Sequence, residues 1–198
     1  MWIAYYFLLR PGEYLYTSSE HAFKLEDISL RSHGLDQPAT TIPLDALDNV
    51  TFAGLTFTEQ KNGVKGELIG LTRSGDPQAC AVHALIRRVR HLRQHRAPPQ
   101  TKLYTYYDSH SRPHHLGSSH LTEFLRLSCM LRNLPIDTVS ARALRATGAT
   151  ALLQGHVPIS FIQLIGRWRS DEVFRYLHVQ SETLMRPIAP TMRPQNST

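Results

Sequence analysis

The sequence predicts an α+β domain, mainly helical with a small antiparallel β-sheet. Between residues 23 and 72, apolar and polar residues alternate in short runs separated by Gly, Asn and Pro, the pattern of strands joined by turns. From residue 80 onward, apolar residues instead recur every three or four positions, the period of an amphipathic helix. The length, 198 residues, suits one domain, and an apolar content of 41% with 19% charged residues is enough to build a core. A long repeat array and a disordered charged tail are both excluded on these grounds.

Residues 3–17 place Ile3, Phe7, Leu8 and Leu15 at helical spacing, interrupted by Pro11-Gly12 just after Arg10, so two short helices or one broken helix are expected. FKLEDISL, from Phe23 to Leu30, alternates like a half-exposed strand, and the Ser-, Gly-, Pro- and Thr-rich stretch from Ser32 to Pro43 reads as loop. Val50 to Gln60 and Glu67 to Thr72 read as two strands pairing antiparallel across KNGVKG, where Asn62-Gly63 and Gly66 accept positive φ. The period then changes. Ala81, Leu85, Val89 and Leu92 mark a helix with Arg87, Arg88, Arg90, Arg93 and Arg96 on its other faces, ending before Pro98-Pro99. A Tyr-, His- and Pro-rich connection over 101–118 leads to helices near 119–132, 138–154 and 158–166, with a last one near 170–180 capped at Ser170-Asp171. Residues 1–185 are expected to form the domain, and 186–198 a frayed, proline-containing tail.

Lys plus Arg number 22 against 16 Asp plus Glu, a net charge of +6 that favours a polyanionic partner. Cys80 and Cys129 lie apart in apolar-periodic stretches, so neither a disulfide framework nor a structural zinc site is indicated. The apolar run from Trp2 to Leu9 has no basic leader or cleavage site and is cut short by Arg10, far from the ~20 residues a bilayer span needs. A soluble, intracellular protein is expected.

Arg10 sits in that apolar run with Glu13 three residues on, close enough to orient it within one turn or to form a plain helix-end ion pair. Lys61 and Lys65 occupy the tip of the expected hairpin, where an ammonium is either solvated or reaches an anion. In SARALRATGATALL, Arg142 and Arg145 share one helical face near the N-terminal end, with small Ala146, Gly148 and Ala149 permitting close backbone approach. The two arginines either hold a phosphate or carboxylate or form a solvated basic face. In LIGRWRSDEVFRYLHV, Gly166-Arg167-Trp168 is followed by Tyr176, two aromatic residues that taken singly are ordinary core material.

Taken in order, Arg-x-x-Glu, a hairpin lysine, Leu-Arg-x-x-Gly-Ala-Thr, Gly-Arg-Trp and Tyr-Leu resemble the catalytic domain of the tyrosine recombinase (phage integrase-like) family, in particular its eukaryotic mobile-element branch. The resemblance runs from about residue 5 to residue 182 and is strongest over 139–179. It implies the fold of the DNA breaking-rejoining enzymes and a role in DNA recombination and integration. It implies duplex DNA as partner, a homo-oligomer assembled on that DNA, no membrane and no cofactor. Location would be the nucleus in a eukaryote and the cytoplasm in a prokaryote. By position, Arg10 matches the first catalytic arginine, Arg145 the second, Lys61 the hairpin lysine with Lys65 as fallback, and Tyr176 the nucleophile. Trp168 resembles the His/Trp position but stands eight residues before the tyrosine; Arg167 has the usual nine. Members usually carry a helical core-binding domain ahead of the catalytic one, which this chain is too short to include.

The chemistry implied is strand cleavage and rejoining through a covalent 3′-phosphotyrosine. Arg10 and Arg145 would bind the nonbridging oxygens, Lys61 would protonate the leaving 5′ oxygen, and Trp168 would pack against the phosphate or hydrogen-bond it through its indole N–H. The family usually has His or Lys three residues before the second arginine. Arg142 stands there and cannot act as a neutral base, so the alternative expectation is a catalytically degenerate DNA-binding remnant.

Overall fold

The computed structural model describes residues 1–18, 21–58, 66–137, 139–169 and 171–175. Among them are six helices: α1 (Trp2–Tyr6), α2 (Pro11–Tyr14), α3 (Ala81–Gln94), α4 (Ser118–Met130), α5 (Ala143–Gln154) and α6 (Ile159–Gly166). The strands are β1 (Ile28–Ser32), β2 (Leu35–Pro38), β3 (Val50–Phe57), β4 (Glu67–Thr72), β5 (Thr105–Tyr107) and β6 (Pro113–His115). The molecule is α+β, as its two hydrophobic periods predict. The described helices are too short or too polar to cross a membrane.

β1 to β4 form one antiparallel sheet in the order β2-β1-β3-β4, while β5 and β6 form a separate hairpin. α3 covers the sheet, burying Val82, Leu85, Ile86, Val89 and Leu92 on one stripe against β3 and α1. Leu30, Ala53, Leu55 and Ile69 face that core from the sheet, and Phe7, Leu9 and Leu15 close it from the N-terminal segment. A smaller cluster lies on the far side of the N-terminal segment, where Leu8, Ala149, Ile162, Trp168 and Val173 meet.

Four expectations are corrected. FKLEDISL is not one strand: Asp27 accepts the Lys24 N–H at 2.7 Å, closing a 3-10 turn over Leu25–Asp27, and the strand begins only at Ile28. The stretch taken as loop contains β2, joined to β1 through His33 (φ 50) and Gly34 (φ 80), both left-handed as a tight two-residue hairpin turn requires. The connection over 101–118 contains the β5–β6 hairpin. The helix expected from 138 begins at Ala143, because Ala141 spends both backbone groups on tertiary bonds: its C=O accepts from Tyr14 and its N–H donates to Thr122. Of the final helix, Asp171–Arg175 is a 3-10 turn; residues 176–180 and the tail lie outside the described residues, as does the 59–65 hairpin tip.

Candidate anion-binding cleft

Arg10, Arg142 and Arg145 line one open cleft of about 870 Å³, although Arg10 is 132 or more positions from the other two in sequence. Its ten described lining residues include three arginines and no carboxylate; Thr17, Ser18, Ser118 and Ser140 supply hydroxyls. Ser118 is the first residue of α4, and Arg142 is the N-cap of α5, so two helix N-termini add partial positive charge at the same place. Such a surface is suited to an anion with several oxygens.

Arg10 is placed by the break between α1 and α2. Leu8 takes a left-handed φ of 48°, turning the chain, and Pro11 at the first helical position fixes the start of α2. The Arg10 N–H donates to Glu13 Oε2 at 2.7 Å, while the Arg10 guanidinium touches Glu13 Oε1 only at 3.4 Å and remains 34% exposed toward the cleft. Glu13 does orient Arg10, but its shorter ionic partner is Arg167, whose Nη2 lies 2.9 Å from Oε2 in a nearly dry setting. That pairing was not legible in the sequence, since residues 13 and 167 are joined only by the fold.

Arg145 is positioned by the small residues that follow it. A Cβ at Gly148 would stand 2.3 Å from the Tyr5 carbonyl oxygen, so only glycine lets α5 lie directly on α1. At that closeness Arg145 donates to the carbonyls of Leu8 and, at 2.7 Å, of Gly166, and its guanidinium rests 4.0 Å above the Trp168 ring. It is 3% exposed. Arg142, three residues earlier, is exposed at the mouth of the cleft.

Gly166-Arg167-Trp168 works as a unit. Arg167 ends α6 in the left-handed conformation (φ 56), with Trp168 N–H returning to Gln163 O at 3.0 Å. This sends the Arg167 guanidinium to Glu13 and over Phe57, 3.9 Å from its ring. Burial holds its pKa down at about 10 against the pull of Glu13. Trp168 folds back beneath Arg145, in space a Cβ at Gly166 would fill, 1.6 Å from the ring. Trp168 is thus buried under Arg145 and does not line the cleft, against the expectation that it contacts a bound phosphate.

Of the sequence candidates, the structure brings together Arg10, Arg142 and Arg145, with Trp168 as the support of Arg145. Lys61, Lys65 and Tyr176 lie outside the described residues. The four hydroxyl residues and Tyr14, whose hydroxyl donates to Ala141 O at 3.0 Å and fixes the approach to Arg142, carried no sequence signal. No protein-family model matches the chain, and no curated protein matches it significantly.

Proposed function

We propose that this chain is a tyrosine recombinase-like catalytic domain that cuts and rejoins duplex DNA. The observation that carries the reading is the convergence of Arg10, Arg142 and Arg145 on a cleft with no carboxylate among its described lining residues. The ordered motifs suggested two of those arginines as phosphate ligands, and a phosphodiester matches the guanidinium and hydroxyl donors of the described lining. Val173, the third residue before Tyr176, is fully buried with Leu8 and Trp168, in the cluster that also supports Arg145.

In this mechanism Arg10 and Arg142 bind the nonbridging oxygens, with bonds that strengthen as negative charge builds in the phosphorane. Arg145, held by the Leu8 and Gly166 carbonyls, adds fixed positive charge behind them. The Tyr176 hydroxyl releases its proton to solvent water as its oxygen attacks phosphorus, the P–O5′ bond breaks, and Lys61 gives its proton to the departing 5′ oxygen. The 3′-phosphotyrosine retains the energy of the phosphodiester, so attack by a 5′ hydroxyl on the same phosphorus rejoins a strand and frees the tyrosine.

A second reading has observations of its own. Arg142 replaces the proton-accepting residue of the family pattern, and two of the Arg145 donors are committed to backbone carbonyls. Both favour a DNA-binding remnant without turnover. Incubation with a nicked substrate that traps the covalent intermediate separates the two: an enzyme gives an adduct that Tyr176→Phe abolishes, and a remnant gives reversible binding alone.

A further inference from the structure

We propose that Tyr16, Tyr104 and His115 form a stacking platform for an unpaired nucleobase at the edge of the arginine cleft. The inference rests on the nucleic-acid reading of that cleft and specifies which nucleic-acid structure it takes. After α2 the chain runs beside the β5–β6 hairpin: Tyr16 N–H donates to Leu116 O at 2.9 Å, and Leu116 N–H donates to Tyr104 O at 2.9 Å. This ladder brings the three rings together, with centroids 5.6 Å apart for Tyr16–Tyr104, 5.1 Å for Tyr16–His115 and 5.2 Å for Tyr104–His115; Tyr104 meets the other two edge-on, at 72° and 71°, and buttresses the Tyr16–His115 pair, which is tilted by 38°. Tyr16 is 54% exposed and His115 is exposed, so the cluster offers solvent an aromatic surface instead of completing the core.

Its location ties it to the cleft. Thr17 and Ser18, the next residues after Tyr16, line the cleft, as does Ser118 beside Gly117, the bridge partner of Tyr16. A strand whose phosphate lies among the arginines therefore places its neighbouring nucleotide over the rings. The rings touch one another, leaving no gap between them into which an alkylammonium could insert as it does in an aromatic cage, and the adjoining arginines repel a cation. A base, in contrast, stacks on an outer aromatic face and finds hydrogen-bonding edges in the tyrosine hydroxyl and imidazole nitrogens. Paired bases have both faces occupied by their neighbours, so the platform selects a base that is out of the stack.

The test compares two duplexes of equal length, one fully paired and one with a single unpaired 2-aminopurine opposite a one-nucleotide gap, titrated with the full chain. Stacking predicts quenching of the 2-aminopurine and at least about fivefold tighter binding of the gapped duplex, the lower end for one base on an aromatic ring. Tyr16→Ala and His115→Ala should each erase most of that preference without changing affinity for the paired duplex, while Tyr16→Phe keeps it. Equal affinity for the two duplexes, or a preference that survives Tyr16→Ala, overturns the platform and leaves the cleft reading standing. Failure to bind either duplex overturns both, and binding of a trimethyllysine peptide that depends on Tyr16 overturns the choice of ligand.

Discussion

Gly148, Glu13 and Tyr14 decide where the cleft arginines stand, though none of them carries a positive charge. Gly148→Ala drives a methyl group to 2.3 Å from the Tyr5 carbonyl, where backbone must move, and is expected to cost about 1–3 kcal/mol of stability. Urea denaturation of the two proteins measures this directly. Glu13→Gln removes the carboxylate facing buried Arg167 and strands a guanidinium in a dry site, a loss of about 3 kcal/mol in the same measurement. Tyr14→Phe leaves the Ala141 carbonyl without that donor and should cost about 1 kcal/mol. At this scale the sequence was partly readable. Arg10, Arg142 and Arg145 stood out because local spacing and small neighbours are local signals. The Glu13–Arg167 pair did not, because an ion pair across 154 positions leaves no local trace. Gly-Arg-Trp was recognisable as a motif, but which side chain turns toward Glu13 depends on the left-handed Arg167 backbone, which spacing does not encode.

The elements that periodicity revealed were those whose burial is one-sided and long. α3 buries an unbroken apolar stripe and β3–β4 are framed by turn residues, so both appeared close to their true bounds. β2 is exposed along three of its four residues, leaving no apolar face to mark it as a strand. The β5–β6 hairpin was hidden for a related reason: its rings pair with one another, Tyr106 stacking on His114 at 5.4 Å, and so show no core-facing alternation. Its turn is organised by Asp108, whose carboxylate accepts the Arg112 and His110 backbone N–H groups at 2.9 Å and lies beside the His114 ring. The Arg112 backbone N–H, followed by the His114 imidazole and the Arg112 guanidinium, pulls the Asp108 pKa down to about 2. A depressed carboxylate stabilises fully above its unfolded value near 3.8, and that support is lost as pH falls toward and through about 2. The amide resonances of His110 and Arg112 should therefore titrate with a midpoint near 2. A midpoint near 4, or no change in Asp108→Asn, contradicts this account of the turn.

At the scale of the whole molecule, the proposed DNA binding, with a net charge of +6 and a cleft lined by three arginines, would be dominated by phosphate neutralisation. Affinity for duplex DNA should then fall steeply with salt. Arg10→Gln and Arg142→Gln should each weaken binding at all sequences and flatten the slope of log K against log salt by about 1. Arg145→Gln should act mainly on stability, since its guanidinium bonds to Leu8 and Gly166 and packs on Trp168. The most direct measurement of the central claim is denaturing gel analysis of the full chain incubated with a nicked trapping duplex, beside Tyr176→Phe and Arg10→Gln. A covalent protein–DNA species is expected for the unaltered chain, none for Tyr176→Phe, and a strongly reduced yield for Arg10→Gln. An adduct that persists in Tyr176→Phe, or one indifferent to Arg10, would contradict it.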